Sequence, residues 1–312
     1  MVKVSKKRVL VTGGAGFIGS HLVDRLIQEG YHVAVVDNLT TGKKENLNKK
    51  AKFYKLNILS PKLFQVLKKE KPQIVCHFAA QINARRSVKD PIFDAKTNIL
   101  GSLNLLEACK KARVSKIFFA SSGGEIYGDA SQIPTPETYP PNPISPYGVA
   151  KFAVEKYLYS YWKLFGISYL SLRYGNVYGP RQNPKSEAGV VAIFATKMLK
   201  NENPVIHGDG TQTKDYIFIE DAIEATYLSI KKNIEGVLNI GTQKETSVIE
   251  IFYKLKKLTN SRAKEVHGPL PLCGFKRGCL SIEKTKKILC WEPKYSFDEG
   301  LKKTVEWFKS QI

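Results

Sequence analysis

A tyrosine and a lysine stand four residues apart in the segment 145–151, which has the sequence SPYGVAK. Ser145 is a typical helix N-cap and Pro146 suits the first helical position, so the segment predicts the first turn of a helix. Tyr147 and Lys151 then lie on one helix face, one turn apart. A phenol normally titrates near pH ~10, and a nearby ammonium together with a second cation lowers that pKa. The pair is therefore a candidate for a tyrosine base that works at neutral pH.

The same spacing occurs twice more, at Tyr159 and Lys163 and at Tyr253 and Lys257. A solvated helix face explains any one copy equally well, because residues four apart are neighbours on every helix. The elements around each copy must decide which one forms a site.

A glycine-rich turn follows the first predicted strand. Arg8–Thr12 is a short β-branched run that leads into the sequence GGAGFIG and then into a helical pattern. The glycines of this turn, Gly13, Gly16 and Gly19, leave a diphosphate free access to the N–H groups and the dipole of the helix N-terminus. The pattern predicts a strand, a phosphate-binding turn and a helix.

The second predicted strand, His32–Asp37, ends in an acid about 20 residues after the glycine turn. An acid at that point is placed to bind a ribose 2′-hydroxyl. Asp37 repels a 2′-phosphate, so the pattern favours NAD over NADP. Lys43 and Lys44 follow in a loop, and we expect them to face water.

Strands and helices continue to alternate, with further strands predicted at 52–56, 74–78, 116–121 and 168–174 and helices at 61–69 and 92–112. This alternation predicts an α/β fold with a Rossmann-type doubly wound parallel sheet, whose ligand lies at the carboxyl ends of the strands. We place this domain at 1–174 and a smaller C-terminal substrate-binding lobe at 175–312. One strand of the lobe, near 237–240, is predicted to return to the sheet.

Composition narrows the class of protein. The chain has 312 residues, 43% hydrophobic and 25% charged, which is ample for a globular core. No run reaches the roughly 18 apolar residues of a membrane span, and no apolar signal segment precedes the first strand, so we expect a cytoplasmic protein. The five cysteines are scattered without ligand spacing and indicate no metal site.

The net charge of +21 raises the question of a polyanionic partner. The lysines come in pairs spread along the chain, and no aromatic residues are interleaved with them as stacking platforms. The distribution favours a solvated basic surface over a nucleic-acid interface.

The motifs occur in a fixed order along nearly the whole chain. They are TGGAGFIG at 12–19, VDN at 36–38, FAAQ at 78–81, TNILGS at 97–102, SS at 121–122 ahead of YG at 127–128, YGVAK at 147–151, RYGNVYGPR at 173–181 and WEP at 291–293. In this order they resemble the extended short-chain dehydrogenase/reductases of the NAD-dependent epimerase/dehydratase family. The resemblance is strongest to the UDP-glucose 4-epimerase type.

The resemblance implies a role for each matching residue. Tyr147 is the implied base, Lys151 holds the nicotinamide ribose and lowers the tyrosine pKa, and Ser122 hydrogen-bonds the reacting sugar oxygen. The implied cofactor set also contains Gly13, Gly16, Phe17, Ile18, Gly19, Asp37, Asn38, Asn57, Ile58, Ala79, Ala80, Gln81, Asn98 and Tyr174. The implied uridine diphosphate set contains Asn176, Gly189, Val190, Val191 and His207.

The implied reaction suits these residue types. Tyr147 removes the proton of the sugar 4-hydroxyl while a hydride leaves C4 for NAD. A 4-keto sugar results, and return of the hydride to its other face gives the epimer without net redox change. The resemblance therefore implies interconversion of UDP-glucose and UDP-galactose.

Four positions depart from the family pattern. Asn57 stands where the family usually has an aspartate, and Lys214 replaces an arginine that clamps the diphosphate. The later Gly-Asp-x-Arg segment has become GFKR at 274–277, which leaves Arg277 or Lys276 as the second clamp. Gly278 falls at a gate beside the sugar C2 substituent, so a small gate there predicts activity on UDP-GlcNAc and UDP-GalNAc as well.

Two residues support a rival activity. Glu125 occupies the place of a catalytic glutamate in dehydratases and uronate decarboxylases, and Arg85 falls where uronate epimerases have an arginine. A UDP-glucuronate 4-epimerase or decarboxylase therefore stays an alternative. A dehydratase would also want an aspartate at the position of Gly124. Solvent exposure of Glu125 and a place for Arg85 in the basic surface are the simpler explanations.

Two further expectations concern partners. Some relatives of such enzymes are non-catalytic nucleotide- or RNA-binding proteins, but Ser122, Tyr147 and Lys151 all persist here. The resemblance also implies a homodimer formed by the helices of Asn98 and Tyr147. The only sign of it in the sequence is an apolar helix face, which the core explains equally well.

Overall fold

The computed structural model describes residues 7–185, 189–232, 234–270, 272 and 274–312. Its strands, in chain order, are β1 (Arg8–Thr12), β2 (His32–Asp37), β3 (Lys52–Lys55), β4 (Ile74–His77), β5 (Lys116–Ser122), β6 (Ser168–Tyr174), β7 (Asn176–Tyr178), β8 (Val205–His207), β9 (Thr213–Phe218), β10 (Gly236–Ile240), β11 (Glu245–Ser247) and β12 (Val266–Gly268). Its α-helices are α1 (Phe17–Gln28), α2 (Leu63–Glu70), α3 (Ala84–Lys89), α4 (Pro91–Ala95), α5 (Gly101–Ala112), α6 (Gly123–Tyr127), α7 (Pro146–Phe165), α8 (Val190–Leu199), α9 (Ile219–Lys232), α10 (Val248–Thr259), α11 (Glu283–Leu289) and α12 (Phe297–Lys309).

Seven of these strands form one sheet in the order β10-β6-β5-β4-β1-β2-β3, and every neighbouring pair is parallel. The order reverses between β1 and β4, so a crevice opens beside the end of β1. This is the doubly wound arrangement that the sequence predicts, with the strand expected near 237–240 forming the edge strand β10. The ligand crevice of such sheets lies at this reversal.

Side chains of the strands alternate between two apolar layers, because neighbouring residues of a strand point to opposite faces. Val9 and Val11 of β1 pack on the side of α1, while Leu10 packs with α2 and α5 on the other. Helix α7 joins this second layer through Val154 and Leu158. The sheet is therefore covered on both faces, and only its strand ends are free to bind a ligand.

Helix α7 begins and ends as its sequence predicts. The Ser145 hydroxyl accepts a hydrogen bond from the Gly148 N–H at 3.1 Å, and Pro146 occupies the first turn. The helix stops at Gly166, which has a φ of 71° in the left-handed region. Tyr147 therefore lies in the first turn of a 20-residue helix that is fixed at both ends.

The single helix predicted at 92–112 is instead three pieces. A π-helical turn, Lys96–Leu100, separates α4 from α5. The wider turn carries Asn98, which is buried and hydrogen-bonded to the backbone of Gln81. The interruption thus serves to fix a loop beside the cleft, which is a common use of π turns.

The C-terminal part adds two small sheets, β11-β9-β7 and β12-β8, which lie with α8, α10 and α12. The strands β7, β9 and β11 are not among those predicted from the sequence. None of the helices in the described residues is long and apolar enough to cross a membrane.

Candidate active site

A cleft of about 1230 Å³ runs along the carboxyl ends of the parallel strands. Most of the residues singled out from the sequence line it. They are Gly13, Gly16, Phe17, Ile18, Gly19, Asp37, Asn38, Asn57, Ile58, Ala79, Ala80, Gln81, Arg85, Ser122, Glu125, Tyr147, Lys151, Tyr174, Asn176, Gly189, Val190, Val191 and Lys214. Four others, Asn98, His207, Arg277 and Gly278, lie outside this lining.

The glycine turn connects β1 to α1 at one end of the cleft. Gly13 has a φ of 72°, and a Cβ added to it would lie 2.6 Å from the backbone nitrogen of Ala79. Only glycine fits there without moving a neighbouring strand end. No side chain of the described residues caps α1, whose N-cap is Gly16, so the N–H groups of its first turn point into the cleft without a partner of that kind.

Asp37 closes this half of the cleft from the end of β2. Its carboxylate accepts hydrogen bonds from the backbone N–H groups of Ala15, at 3.0 Å, and Leu39, at 2.8 Å. Each oxygen keeps a second lone pair for a ribose hydroxyl. The uncapped helix, the glycine turn and this acid together fit a dinucleotide with a free 2′-hydroxyl.

Asn38 and Asn57 both line the cleft, and both use their side-chain oxygens locally. Asn38 accepts from the Thr40 N–H at 3.0 Å, and Asn57 accepts from the Leu59 N–H at 2.9 Å. These turns leave the amide NH₂ groups as the free ends. At the other end of this half, the Tyr174 hydroxyl hydrogen-bonds Thr226 at 2.6 Å.

The loop after β4 is fixed from behind. The Asn98 side chain accepts from the Gln81 N–H at 2.8 Å and donates to the Gln81 carbonyl at 2.9 Å. Asp94 accepts from both side-chain amides, at 2.8 and 2.9 Å. Asn98 therefore shapes the cleft wall at Ala79 and Ala80 without lining the cleft itself.

Tyr147, Lys151 and Ser122 meet where α7 crosses the end of β5. The Lys151 ammonium donates to the carbonyl oxygen of Ala120 at 2.7 Å and lies 5.7 Å from the centre of the Tyr147 ring. The Ser122 side chain faces the Tyr147 phenol and favours its ionised form. Tyr147 is 9% exposed, whereas Tyr159, which also has a lysine four residues on, is 48% exposed. Burial in a cleft therefore separates the first tyrosine–lysine pair from its copy.

Burial raises the pKa of the Tyr147 phenol, and the carboxylates of Glu125 and Asp94 raise it further, against the effect of Ser122. Burial also lowers the pKa of Lys151 to about 8. The sequence predicted that Lys151 lowers the tyrosine pKa together with a second cation, and in the protein alone burial outweighs the lysine. Removing a phenolate from water costs more free energy than its attraction to one nearby ammonium restores. A second cation is therefore needed to lower the pKa of Tyr147.

Glu125 does not point to solvent. It lines the cleft from α6, is half-buried, and accepts a hydrogen bond from the Ser145 hydroxyl at 2.6 Å. Because Ser145 is also the N-cap of α7, Glu125 is tied directly to the start of the helix that carries Tyr147.

Arg85 lines the cleft, and a histidine holds it there. Its guanidinium donates to the Nε2 atom of His207 at 3.2 Å. Nε2 must then be the unprotonated nitrogen, and Nδ1 carries the proton that it donates to the Pro269 carbonyl at 3.1 Å. His207 thus stands behind Arg85 instead of facing the cleft.

Lys214 lines the cleft but is already engaged by the protein. Its ammonium donates to the carbonyl oxygen of Phe275 at 2.7 Å and lies 2.8 Å from the centre of the same residue's ring. Burial lowers the pKa of Lys214 to about 7, although Glu125 and Asp129 act in the opposite direction.

The two glycines near Phe275 explain where its ring goes. A Cβ at Gly278 would lie 2.1 Å from one ring carbon, and a Cβ at Gly124 would lie 2.1 Å from another. Phe275 therefore fills the space that the sequence assigned to an open gate at Gly278, and the aromatic ring lines the cleft instead. The gate prediction needs this correction: the small residue receives a neighbouring ring and not a substrate.

Arg277 points away from the cleft. It is paired with Glu245 through hydrogen bonds of 3.0 and 2.6 Å, and its side chain is 63% exposed. The carboxylate of Glu245 matches the planar guanidinium in the bidentate way that a diphosphate would.

Three of the residues that sequence reasoning missed matter most for the site. Phe275 lines the cleft, Asp94 holds Gln81, and Glu155 lies buried one turn past Lys151. Glu155 carried a usable signal, because it continues the spacing of four from Tyr147 and Lys151. Phe275 and Asp94 carried none, since their partners come from distant parts of the chain.

Comparisons with known proteins agree with this geometry. The model of the NAD dependent epimerase/dehydratase family matches residues 9–241. The structure of a Thermotoga maritima UDP-glucose 4-epimerase with UDP-glucose is 47% identical, covers 97% of this chain and 99% of its own, and gives a TM-score of 0.94. A Thermus thermophilus UDP-glucose 4-epimerase complex with NAD is 41% identical, with coverages of 98% and 100% and a TM-score of 0.94.

A third structure has a different substrate in its name. It is the UDP-N-acetylglucosamine 4-epimerase of Methanobrevibacter ruminantium, 35% identical, with coverages of 98% and 99% and a TM-score of 0.91. The chain belongs to the NAD dependent epimerase/dehydratase family. The family, the Rossmann-type fold and the NAD cofactor predicted from the sequence are thereby confirmed.

Proposed function

We propose that the chain is an NAD-dependent UDP-hexose 4-epimerase that interconverts UDP-glucose and UDP-galactose through a transient 4-keto sugar. One observation carries the proposal. A single cleft joins the uncapped helix α1 and Asp37 at one end to Ser122, Tyr147 and Lys151 at the other. A dinucleotide held by the first set extends toward the second, where proton transfer is possible.

The residues divide the chemistry between them. NAD, when bound, supplies a reversible hydride acceptor. The Tyr147 phenolate takes the proton of the sugar 4-hydroxyl, and Ser122, which faces the phenol, orients that oxygen with its own hydroxyl. Lys151 holds positive charge beside the phenolate. Gly13, Asp37 and the first turn of α1 hold the adenosine diphosphate part.

The reaction has no net redox change only if the hydride and the keto sugar both stay in the cleft until the hydride returns. One hydride and one proton are taken from C4 and O4, and both return, the hydride to the opposite face of the ring. The sugar must therefore turn over while its diphosphate stays bound. A cleft with firm walls on the cofactor side and room on the sugar side suits this requirement.

N-acetylhexosamines belong to the same proposal, but their support has changed. Gly278 no longer provides it, because Phe275 occupies the adjoining space. The support comes instead from the likeness to a UDP-N-acetylglucosamine 4-epimerase at 35% identity over almost the full chain.

A panel of nucleotide sugars tests the proposal. We expect purified protein to convert UDP-galactose and UDP-glucose into one equilibrium mixture, and UDP-GalNAc and UDP-GlcNAc into another, followed by ¹H NMR because epimers have equal mass. The proposal would be contradicted if none of these four nucleotide sugars were converted in the presence of NAD. Such a result would favour the non-catalytic alternative if RNA is retained at physiological salt.

A UDP-glucuronate 4-epimerase or decarboxylase is the second candidate, because Arg85 and Glu125 both line the cleft. Arg85 is preorganised by His207 and is suited to a carboxylate at C6. Adding UDP-glucuronate to the panel separates the candidates. A decarboxylase releases CO₂ and a UDP-pentose, and an epimerase releases UDP-galacturonate.

We further propose a homodimer in the cytoplasm. Apolar side chains stand exposed on the outer side of α4, the π-helical turn and α7, namely Ile92, Leu100, Val149, Tyr157 and Leu164. A second copy would cover this face through a two-fold contact of the same helices. Leu106, one of the apolar residues of the predicted contact helices, instead lies in the core. Sedimentation of the wild type and of Val149→Glu tests this: a dimer that the variant converts into monomers is expected.

A further inference from the structure

Glu155 extends the tyrosine–lysine pair by one more turn of α7. Tyr147, Lys151 and Glu155 are spaced by four residues and share the helix face that meets the sheet. Glu155 is 4% exposed, so its carboxylate is as deeply buried as the Lys151 ammonium. A buried carboxylate must be paired to persist, and its partners show what it holds.

The three side chains face three consecutive residues of β5, and two of them are hydrogen-bonded there. Lys151 donates to the Ala120 carbonyl at 2.7 Å, and the Ser121 hydroxyl donates to Glu155 Oε1 at 2.7 Å. Tyr147 faces Ser122, whose side chain favours the ionised phenol. Helix α7 therefore meets three successive residues at the end of β5, and Glu155 bonds to the middle one.

The other side of Glu155 is held by a second strand. Arg173 of β6 donates to Oε1 from Nε at 3.0 Å and to Oε2 from Nη2 at 2.6 Å. Arg173 also donates to the Tyr127 hydroxyl at 2.8 Å, which in turn donates to Asn239 Oδ1 of β10 at 2.9 Å. The carboxylate thus has three donors in a fork-to-fork geometry and no room to rotate.

From this arrangement we infer that Glu155 is a positioning residue of the active site, which fixes the height of α7 on β5 and thereby holds Tyr147 against Ser122. The inference rests on the proposed function, since it concerns the tyrosine that the proposal makes the base. A helix can slide along a sheet when only apolar contacts hold it, whereas a bidentate ion pair on one strand and a hydrogen bond to the next allow one height. Misplacement by about 1 Å is enough to cost roughly a hundredfold in rate.

Glu155 has an electrostatic effect on Lys151 as well. Burial lowers the pKa of Lys151 to about 8, and the negative charges of Asp94 and Glu155 oppose that fall. The other ionisable groups facing Lys151 are Tyr147 on its own helix and His77 of β4, whose pKa is lowered to about 3 by burial and by the lysine, so that it is neutral. Asp94 and Glu155 therefore keep Lys151 protonated near neutral pH.

Ser121→Ala tests the positioning effect, because it removes the bond from β5 and leaves the Glu155–Arg173 pair intact. We expect kcat to fall roughly tenfold, with KM for the UDP-sugar changed by less than about twofold. The matched control is Ser229→Ala, whose equally buried hydroxyl bonds only within α9, to the Ala225 carbonyl at 2.8 Å. It should match Ser121→Ala in melting temperature and keep the wild-type kcat.

Glu155→Gln tests the charge. Without the carboxylate the pKa of Lys151 falls further, so Lys151 loses its proton at lower pH. The alkaline limb of the kcat profile should move to lower pH by roughly half a pH unit or more. Asp221→Asn is the control for loss of a buried carboxylate, since Asp221 accepts from the Lys294 and Tyr295 N–H groups far from the cleft. It should lower stability without moving the limb.

The titration of Lys151 can also be measured by NMR, without relying on enzyme turnover. The ¹³Cε resonance of Lys151 in labelled protein, assigned with Lys151→Arg, should titrate at lower pH in Glu155→Gln than in the wild type. An active wild type whose kcat is unaffected by Ser121→Ala, and whose limb and resonance are unmoved by Glu155→Gln, would overturn the inference and leave the proposed function standing. An inactive wild type would overturn the proposed function, while the resonance would still decide the electrostatic part.

Discussion

The two halves of the cleft are built differently. On the cofactor side, backbone geometry does the binding, through a glycine turn, an uncapped helix and an acid at a strand end. On the diphosphate side, the basic side chains expected to bind are held by other parts of the protein, Lys214 by Phe275 and Arg277 by Glu245. The first half is therefore ready for its ligand, whereas in the second a basic side chain can bind the diphosphate only by leaving its protein partner.

This difference shows where a family resemblance carries over with its residues. Backbone devices depend on a few adjacent positions and keep their form when the remainder of the chain changes. Side-chain clamps depend on what stands opposite them, and here GFKR stands where the family resemblance implies Gly-Asp-x-Arg. A cofactor half of the expected form and a differently built wall can thus occur in one cleft.

The largest expected effect concerns the tyrosine between the two halves. Tyr147→Phe should lower kcat by roughly 10²- to 10⁴-fold, because it removes the group that exchanges the proton. Its NAD content should stay at the wild-type level. Tyr159→Phe is the matched control, since Lys163 lies 5.7 Å from its ring just as Lys151 does from that of Tyr147.

If Tyr159→Phe lost as much activity as Tyr147→Phe, position in the cleft would not distinguish the two pairs. Rates are measured with UDP-galactose at saturating NAD, and bound NAD is quantified after denaturing the protein.

On the cofactor side, Gly13→Ala should weaken NAD binding by roughly tenfold or more. The new methyl group lies 2.6 Å from the Ala79 nitrogen, and backbone at that point has no room to yield. Gly30→Ala is the control, because Gly30 also has a positive φ, 82°, but a Cβ there meets nothing within 4 Å. Calorimetric titration with NAD measures both, and equal affinities would refute a rigid cofactor half.

On the diphosphate side, affinity should depend on pH. Lys214 has a pKa lowered to about 7, so it is protonated below that pH and loses its charge above it. KM for the UDP-sugar should therefore rise as pH increases from 6 to 8, by a few-fold. Lys214→Arg should abolish this dependence, because arginine stays charged throughout.

Lys254→Arg, in a surface pair with Asp298, is the control and should keep the wild-type pH profile. A profile of KM that is identical in wild type and Lys214→Arg would mean that Lys214 never leaves Phe275 for the substrate.

The smallest effect is expected for Arg277. Because Arg277 is exposed and paired with Glu245, Arg277→Ala should change KM by less than about twofold and should barely change stability. Steady-state kinetics and thermal melting measure both. A rise in KM of tenfold or more would show that Arg277 exchanges Glu245 for the diphosphate, and the second half would then be a clamp that closes.

Most of the sheet was predictable from the chain itself. β1, β2 and β6 match their predicted bounds, because continuous apolar runs between turn residues define buried parallel strands. Helix α7 was predictable from Ser145 and Pro146. The π-helical turn at Lys96–Leu100 was not, since no local pattern distinguishes it from a continuous helix.

Some residues of the site were predictable from local sequence and others were not. Gly13, Asp37 and Tyr147 were identified because each follows a recognisable element, and position along the chain fixes them. Phe275 was not identified, because its place depends on the absence of side chains at Gly124 and Gly278, which are far apart in sequence. Local sequence shows which contacts a side chain can make. It does not show which distant residue the side chain will contact.

The most direct test of the central claim follows the hydrogen at C4. UDP-galactose carrying deuterium at C4 is incubated with the protein and NAD in ordinary water, and the product is examined by NMR. The account predicts UDP-glucose that retains deuterium at C4, without release of NADH, because the same hydride leaves and returns within one cleft. Loss of the label to water, or accumulation of free NADH and a keto sugar, would contradict it.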